Sequence, residues 1–389
     1  MPCDDAGVNK GRFRTPNPEV WHASTVLFDS MAHHDAVVEA GWAGDRDASA
    51  YATLGTPTTR ALEALLLEGE GGAGVELSPS GLAAITVALL GVLRAGDHLL
   101  MTDSVYEPAR NLADGLLARL GIETEYYDPL IGGGIASLIR PTTRAIWVES
   151  PGSYTMEVQD LPAIAAAARA ADHEIATICD NTYGSPGVYA PLALGADVVT
   201  VALTKYWGGH SDLVMGATFA NERWLPAIRD AVRKLGICGN GDDAYLVARG
   251  ARTTALRIEA HAAAGLEIAH RLAAHRRVGR VLHPSLPDAP GHATFLRDFS
   301  GPNGLLSFEL LAADGSPADR AAGRAFVDRL ASRGRFGIGY SWGGWESLVV
   351  PAHLIRVVRP WEGGALIRLH IGLDPVETLW GDLEAALAG

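Results

Sequence analysis

Between residues 74 and 203, short apolar segments alternate with segments of helical periodicity, and this alternation constrains the fold more than any other feature. The apolar segments predict strands at residues 74–77, 98–102, 124–127, 144–149, 174–179 and 198–203. Helical patterns lie at residues 80–94, 108–120, 134–139 and 160–171. Buried strands that alternate with helices predict an α/β fold with a mostly parallel sheet covered by helices. Because ligands of such sheets bind at the carboxyl ends of the strands, the residues that follow each strand are the first candidates for a functional site.

The sequence changes character on either side of this region. Residues 1–55 show little periodicity and contain scattered Pro, Gly and Asp, so we expect an arm that contacts a neighbouring subunit. Residues 56–250 form the predicted α/β domain. A long Ala-rich helical stretch at residues 251–275 opens a third region, 251–389, which predicts a smaller α+β domain. Its strands are expected at residues 305–310 and 366–371, and its helices at 318–332 and 376–387.

Composition excludes several classes of protein. The 389 residues include 32 Lys and Arg against 45 Asp and Glu, a formal net charge of −13. Nucleic-acid-binding proteins normally present a basic face, so this excess of acidic residues argues against a nucleic-acid-binding protein. Three cysteines without pair spacing exclude a disulfide scaffold and a zinc ribbon, and we expect no metal ion.

No segment of the chain has the pattern of a membrane span or an export signal. The longest apolar run, residues 81–93, is shorter than the roughly 20 residues that a membrane span needs. Residues 1–14 are polar and lack the apolar core of an export signal. We therefore expect a cytoplasmic protein.

Three strand ends carry residue types that suit a charged cofactor. The first strand runs into Ser80 and Gly81 at a helix start, which suits a phosphate, although an ordinary N-cap by Ser80 is the alternative. The fifth strand ends in Asp180, which suits a cationic nitrogen or simply an Asp turn. Lys205 follows the sixth strand, where burial would lower its pKa and make the amine nucleophilic, unless the side chain reaches the surface.

Together these features fit one cofactor. A phosphate seat, an acidic partner for a pyridinium nitrogen and a buried lysine are the parts that a pyridoxal phosphate site needs. Asp180 would keep the ring nitrogen protonated, and Lys205 would hold the aldehyde and then move protons. Tyr106, just beyond the second strand, is placed to stack on the ring. The sequence therefore predicts pyridoxal 5'-phosphate as the cofactor.

Three longer motifs resemble a known family. They are Thr204-Lys205-Tyr206 with Gly209-His210-Ser211-Asp212, Glu149-Ser150-Pro151-Gly152-Ser153, and Tyr340-Ser341-Trp342-Gly343-Gly344-Trp345-Glu346-Ser347-Leu348. They are similar to motifs of the cystathionine β-lyases, in the cysteine/methionine-metabolism group of fold-type-I pyridoxal phosphate enzymes. The similarity runs from about residue 20 to the C-terminus. The similarity implies the fold-type-I architecture. It also implies a homotetramer built from dimers whose active sites are shared between subunits.

The resemblance also implies roles for individual residues. Lys205 matches the lysine that binds the cofactor, Asp180 the pyridinium partner and Tyr106 the stacking tyrosine. Tyr51 matches a tyrosine from the neighbouring subunit. Arg368 matches the arginine that binds the substrate α-carboxylate, a task that suits a planar guanidinium. The other matches are the phosphate ligands Gly81, Leu82 and Thr204, and the substrate-pocket residues Tyr340, Ser341 and Trp342.

The chain departs from the family near the cofactor phosphate. The family has an arginine two residues after the interfacial tyrosine, often with another beside it, where this chain has Thr53 and Leu54. Loss of a charge-assisted hydrogen bond of about 1.5–3 kcal/mol would weaken cofactor binding about tenfold or more. We hypothesise that Arg46 or Arg60 takes its place. Tyr183 stands where tryptophan is common, so the substrate need not be cystathionine itself.

The expected reaction is β-elimination from L-cystathionine or a related L-cysteine S-conjugate, which yields a thiol (homocysteine), pyruvate and ammonia. Tyr106 or Tyr51 would help to accept the amine proton, and Lys205 would remove the α-proton and protonate the leaving thiolate. Tyr340 and Ser153 favour this chemistry, because relatives that act at the γ-carbon usually carry Glu and Asn there. The alternatives are γ-elimination or γ-replacement on an activated homoserine-type substrate, and a cofactor-bearing regulator with vestigial catalysis.

Overall fold

The computed structural model describes residues 15–389, apart from the side chain of Trp42. The prediction that residues 1–14 carry no export signal lies outside this range. The helices are α1 (Met31–Trp42), α2 (Pro57–Glu70), α3 (Gly81–Val92), α4 (Glu107–Leu112), α5 (Leu161–Arg169), α6 (Leu225–Leu235), α7 (Gly241–Ala251), α8 (Thr254–Ala273), α9 (His292–Asp298), α10 (Arg320–Ala331) and α11 (Val376–Ala388). The strands are β1 (Gly74–Ser78), β2 (His98–Thr102), β3 (Glu123–Tyr127), β4 (Thr143–Glu149), β5 (Ala176–Asp180), β6 (Val198–Ala202), β7 (Gly216–Ala220), β8 (Val278–Leu282), β9 (Leu305–Leu310), β10 (Phe336–Ile338), β11 (Ser347–Pro351) and β12 (Leu366–His370).

Seven strands form the first sheet, in the order β1-β7-β6-β5-β4-β2-β3. The strands β2 to β6 run parallel, whereas β7 is antiparallel to both of its neighbours, β1 and β6. Every residue of β1, β2, β5 and β7 is buried, as expected for strands with helices on both faces. The predicted mostly parallel sheet is therefore confirmed.

Several boundaries in this region differ from the predictions. Strand β5 begins at Ala176, because Glu174 instead forms an ion pair with Arg223 at the surface, and it extends to include Asp180. The helix predicted at residues 134–139 is a 3-10 turn, Gly132–Leu138, in which three successive glycines disfavour an α-helix. Strand β7 was not predicted, because its small residues are weak strand formers that gain order from pairing with β1 and β6.

The helices begin where local signals predict. Thr56 caps α2 with a reciprocal side-chain pair to Thr59, and Pro57 occupies its first turn. Asp160 caps α5 by accepting a hydrogen bond from the N–H of Ala163 at 3.1 Å. Helix α1 was not predicted, since residues 1–55 show little periodicity, but Ser30 caps it through the N–H of His33.

The second sheet has five strands in the order β10-β11-β12-β9-β8, and only the β10–β11 pair is parallel. Its core includes Leu306, Phe308, Phe326 and Leu369, which are fully buried against α8, α10 and α11. The helix predicted at residues 251–275 is α8, and a non-helical Thr253 separates it from α7. No helix among residues 15–389 is long and apolar enough to cross a membrane.

A buried carboxylate ties the segment after β11 to the first sheet. Asp103 accepts hydrogen bonds from the N–H groups of Val357, Val358 and Arg359, and from the guanidinium of Arg356 at 3.1 Å. These backbone bonds hold the pKa of Asp103 below its usual value despite burial. These hydrogen bonds join the segment between β11 and β12 to the end of β2, beside the site described next. The division into residues 1–55, 56–250 and 251–389 stays a prediction.

Candidate active site

A cavity of about 720 Å³ lies at the carboxyl ends of β4, β5 and β6 and extends to β12 of the second sheet. Nine of the eleven residues singled out from the sequence line it: Gly81, Leu82, Tyr106, Asp180, Thr204, Lys205, Tyr340, Trp342 and Arg368. Ser341 accepts hydrogen bonds from two of them, Lys205 and Arg368. Tyr51 does not line the cavity. The chain thus brings together residues that lie up to 287 positions apart, as for Gly81 and Arg368.

Lys205 lies just beyond the end of β6, with its amine inside the cavity. Its Nζ donates a hydrogen bond to Ser341 Oγ at 2.9 Å and lies 5.4 Å from the centre of the Trp342 ring. Burial and the positive charge of Arg368 lower the pKa of Lys205 to about 8, against the opposing effect of Asp180. A substantial fraction of the amine is therefore neutral near pH 8, which is the form that attacks an aldehyde.

Asp180 is the last residue of β5 and is paired in register with Glu149 of β4. Its carboxylate is 7% exposed and accepts a hydrogen bond from the N–H of Thr182 at 2.9 Å. Burial raises its pKa, while the bonds from Thr182 and the charge of Lys205 act in the opposite direction. Asp180 has no ion pair among residues 15–389, so a ligand that brings a cationic nitrogen would supply the missing partner.

The start of α3 forms the floor of the cavity beside β6. Ser80 Oγ accepts the N–H of Ala83 at 3.1 Å, which leaves the N–H groups of Gly81 and Leu82 without an acceptor inside the helix. A Cβ on Gly81 would lie 2.7 Å from Ala202 Cβ, so only glycine allows this approach. Ser80 is therefore an ordinary N-cap, and two N–H donors that suit a phosphate remain beside it.

Thr204 is less free than its predicted role requires. Its Oγ1 accepts the N–H of Met215 at 3.1 Å and donates to the Met215 carbonyl at 3.2 Å. Both bonds join the end of β6 to the start of β7. A phosphate would receive this hydroxyl proton only if the bond to the Met215 carbonyl were released, and the role of Thr204 stays a prediction.

Tyr106 precedes α4, and its ring lines the cavity. Its backbone N–H donates to Glu149 Oε2 at 2.7 Å. Burial and the nearby Asp180 raise the pKa of Glu149 well above its usual value, and burial and Glu149 raise that of Tyr106. Glu149 was not singled out from the sequence, although its place at a strand end, like that of Asp180, was a usable signal.

Arg368 projects from β12 into the cavity and is 7% exposed. Its Nη2 donates to the Tyr340 carbonyl at 2.6 Å, and its guanidinium carbon lies 4.9 Å from the centre of the Tyr154 ring. Tyr154 holds this position with a left-handed φ of 62°. Arg368 forms no ion pair with a carboxylate in the described part of the chain, so its charge is available to a ligand.

His370, two residues further along β12, holds the turn that carries Ser341 and Trp342. Its Nε2 contacts two main-chain groups of the turn, the N–H of Gly343 at 3.0 Å and the carbonyl oxygen of Gly344 at 3.1 Å. Gly343 has a φ of +80°, and a Cβ there would lie 2.9 Å from the N of Tyr206, so the turn packs directly on the segment after Lys205. Burial lowers the pKa of His370 to about 3, which keeps the ring neutral. Its two-residue spacing from Arg368 could have identified it.

The residues expected to act between subunits lie outside the cavity of a single chain. Tyr51 is 49% exposed and forms an isolated bridge with Thr25. Arg46 forms ion pairs with Glu63 at 2.6 Å and with Glu76, and Arg60 also pairs with Glu63 at 2.6 Å. The hypothesis that Arg46 or Arg60 replaces the missing phosphate arginine stays a prediction.

This geometry agrees with a family comparison. The profile of the "Cys/Met metabolism PLP-dependent enzyme" family matches residues 5–388. The chain belongs to this family. Pyridoxal phosphate (PLP) is therefore its cofactor, as the strand-end residues and the motifs predicted.

Individual members of the Cys/Met metabolism family are similar over nearly the whole chain. A protein of Bordetella avium named cystathionine beta-lyase is 44% identical over 371 residues, which cover 94% of this chain and 90% of the relative. The Escherichia coli K12 protein named cystathionine beta-lyase MetC is 38% identical, and the aligned residues cover 98% of this chain and 97% of the relative. The predicted resemblance to the cystathionine β-lyases is confirmed.

Solved structures of PLP enzymes share the fold. The crystal structure of metB from Corynebacterium glutamicum has a TM-score of 0.85 at 27% identity, covering 96% of this chain and 93% of that one. The structure of a cystathionine gamma-lyase from Lactobacillus plantarum, complexed with L-serine, has a TM-score of 0.84 at 28% identity, covering 95% and 93%. The predicted fold-type-I architecture is confirmed.

The residues of the cavity fit PLP in three ways. The buried Asp180 lacks a cationic partner in the described chain, which a protonated pyridine nitrogen supplies. The N–H groups of Gly81 and Leu82 suit the phosphate. The amine of Lys205, with its lowered pKa, suits the aldehyde.

Proposed function

We propose that this protein is a PLP-dependent carbon–sulfur β-lyase that converts L-cystathionine, or a related L-cysteine S-conjugate, into a thiol, pyruvate and ammonia. One observation carries the proposal: the turn held by Arg368 and His370 places Ser341 Oγ 2.9 Å from the Lys205 amine. The guanidinium of Arg368 and the amine of Lys205 thus line one cavity, where we expect the first to bind a carboxylate and the second to transfer a proton. The names of the relatives from Bordetella avium and Escherichia coli support the same reaction.

Each part of the cofactor has a group in the chain that would hold it. Asp180 would pair with the ring nitrogen, the N–H groups of Gly81 and Leu82 would bind the phosphate, and Tyr106 would cover one face of the ring. When bound, PLP supplies an electron-withdrawing ring that stabilises the charge left on the substrate α-carbon by proton removal. Glu149 would hold Tyr106 in place through its backbone N–H.

The remaining steps use the chain's own side chains. Arg368 would bind the substrate α-carboxylate, because its guanidinium is buried and has no carboxylate partner in the described chain. Tyr106, or Tyr51 of a neighbouring subunit, would help to accept the proton of the substrate amine. Lys205 Nζ would remove the α-proton and return it to sulfur as the Cβ–S bond breaks. With one water consumed, L-cystathionine yields homocysteine, pyruvate and ammonia.

We further propose a homotetramer of dimers in which Tyr51 completes the site of the neighbouring subunit. Tyr51 is exposed and lies away from the cavity of its own chain, which is consistent with that role. Residues 1–55 would form the contacting arm, residues 56–250 the PLP domain and residues 251–389 the smaller domain. The cytoplasmic location stays a prediction.

Product analysis tests the proposed reaction. The purified protein, loaded with PLP, is incubated with L-cystathionine, L-cystine and O-substituted homoserines, and the keto acids are identified. Pyruvate from L-cystathionine supports β-elimination. Formation of 2-oxobutyrate, or of a replacement product from an O-substituted homoserine, would instead establish the γ-chemistry. Cofactor binding without turnover of any amino-acid thioether would indicate a regulator.

A further inference from the structure

The outer end of the cavity carries charged residues that the proposed reaction does not use. Arg320, Glu107 and His353 line the same cavity as Lys205 and Arg368. Arg320 is exposed, and the side chains of Glu107 and His353 are 39% and 52% exposed. Lys205 and Arg368 lie much deeper. The cavity therefore runs from a buried inner end to a charged, solvent-accessible mouth.

Arg320 is the first residue of α10, where it faces both this cavity and a second one. Asp319 caps the helix by accepting the N–H of Ala322 at 2.8 Å, so its carboxylate already has a partner. The guanidinium of Arg320 has no hydrogen bond or ion pair within residues 15–389. An adjoining cavity of about 490 Å³ also contains Arg320 and His353 in its wall. The Arg320 guanidinium can therefore contact a ligand where the two cavities adjoin.

Glu107 supplies the opposite charge among the residues that line the mouth. It is the first residue of α4, next to Tyr106, and its Oε2 lies 3.6 Å from Nδ1 of His353. His353, which lies beside Glu107, lines both cavities together with Arg320. A carboxylate and a guanidinium that line one cavity are complementary to a zwitterion, whose ammonium and carboxylate carry the reverse charges.

We propose that Arg320 and Glu107 form an outer subsite for the second amino-acid end of a substrate, with Arg320 binding its carboxylate and Glu107 its ammonium. This inference rests on the proposed function, which places the first carboxylate on Arg368. The substrate class is then an L-cysteine thioether or disulfide with amino-acid groups at both ends, such as cystathionine or cystine. S-alkyl-L-cysteines, which lack the second end, cannot use these contacts.

The test compares kcat/KM for L-cystathionine with kcat/KM for S-ethyl-L-cysteine in the PLP-loaded enzyme, scored as a ratio. Arg320→Met should lower this ratio about tenfold, the loss of one partly solvated charge-assisted hydrogen bond. Glu107→Gln should lower it by a smaller factor. The matched control is Arg324→Met, an exposed arginine one turn along α10 that does not line the cavity, and it should leave the ratio unaltered. An unchanged ratio in Arg320→Met, or an equal fall in Arg324→Met, would overturn the subsite.

The same experiment separates this subsite from the proposed reaction. Pyruvate release from both substrates by the parent enzyme upholds β-elimination, whatever the Arg320 variant does. If the parent enzyme converts neither substrate, the proposed reaction fails, and calorimetric titration with L-cystathionine then decides the subsite. About tenfold weaker binding to Arg320→Met than to Arg324→Met would support it, since the same charge-assisted contact is lost, and equal binding would overturn it. Circular dichroism confirms that each variant is folded.

Discussion

The two ends of the active-site cavity are built from different parts of the chain. The inner end consists of Glu149, Asp180 and Lys205, which lie at or just beyond the ends of neighbouring strands of the first sheet. The outer end consists mainly of Arg320, Tyr340 and His353, which belong to the second sheet and its connections, together with Glu107 at the start of α4. Asp180 is 7% exposed, whereas Tyr340 is 79% exposed.

This difference in burial divides the chemistry of the site. Burial shifts the pKa values of Asp180 and Glu149 upward and that of Lys205 downward, because each charge has lost its water. Such groups suit a cofactor that completes their charges and a proton that must move. The charges at the mouth keep their water, so they suit the discrimination of substrates more than the chemical step. Variants at the inner end should therefore have the larger effects.

The largest effect is expected at Lys205. Lys205→Ala removes the group proposed to attach the cofactor and to transfer the α-proton, so pyruvate formation should fall by about 10³-fold or more. Coupled pyruvate assays and the absorbance of the bound cofactor measure both losses. Lys234→Ala is the control, because this lysine pairs with Asp230 on the exposed face of α6. Retention of a tenth of the activity in Lys205→Ala would contradict its role.

Arg368 stands between the two ends and should show the next largest effect. Arg368→Met removes the proposed ligand of the substrate α-carboxylate, so kcat/KM for L-cystathionine should fall about 100-fold, the upper range for a charge-assisted contact. The cofactor should remain bound. Steady-state kinetics and cofactor absorbance distinguish these outcomes, with Arg335→Met, a surface arginine 3.3 Å from Asp374, as the control. Cofactor loss with an unchanged KM would assign Arg368 to the inner end instead.

His370 should have a smaller effect, through the turn that it positions. His370→Leu leaves the buried N–H of Gly343 without its acceptor, which should cost about 1–3 kcal/mol of folding free energy. Displacement of Ser341 and Trp342 should also lower kcat/KM about tenfold. His370→Asn, which offers another acceptor, should recover part of the activity. If His370→Leu loses stability while kcat/KM is unaltered, the turn does not position the site.

The smallest effect on activity is expected at Glu70, behind the inner end, whose contribution to stability depends on pH. Glu70 accepts hydrogen bonds from Ser185 and from Asn181, next to Asp180, and burial raises its pKa to about 7 from 4.5. A carboxyl with a raised pKa stabilises the fold fully below pH 4.5, and this contribution is lost as the pH rises through 7. Glu70→Gln should not lose stability in this pH range, because glutamine does not ionise.

Denaturant unfolding at pH 5 and pH 8 measures this difference. The free energy of unfolding of Glu70→Gln, relative to the parent protein, should increase between these values by up to about 3 kcal/mol. Glu68 is an exposed residue of the same helix α2, and the free energy of unfolding of Glu68→Gln should change with pH in the same way as that of the parent protein. If the free energy of unfolding of Glu70→Gln changed with pH in the same way as that of the parent protein, the Glu70 carboxyl would not be the titrating group.

The sequence predicted the inner end better than the outer end. Strand β2 was predicted with its observed bounds, and Asp180 and Lys205 were identified because they follow recognisable strands. Arg320 and Glu107 gave no signal, since an arginine or glutamate at the start of a helix is unremarkable in sequence. His370 was not identified, although it lies on the same strand as Arg368 at a spacing of two residues. The roles of the inner residues remain predictions that the variants above test.

Local periodicity and strand-end residue types were enough to derive the α/β class, the cofactor and its candidate ligands, because these depend on short-range patterns and on the geometry common to parallel sheets. The packing of β12 and its neighbouring turn against the end of β6 depended on the tertiary structure. That contact joins residues more than 130 positions apart, such as Lys205 and Ser341, and no local rule specifies it. The same is true of burial, which sets the pKa values of Asp180 and Lys205 through the water that the fold removes.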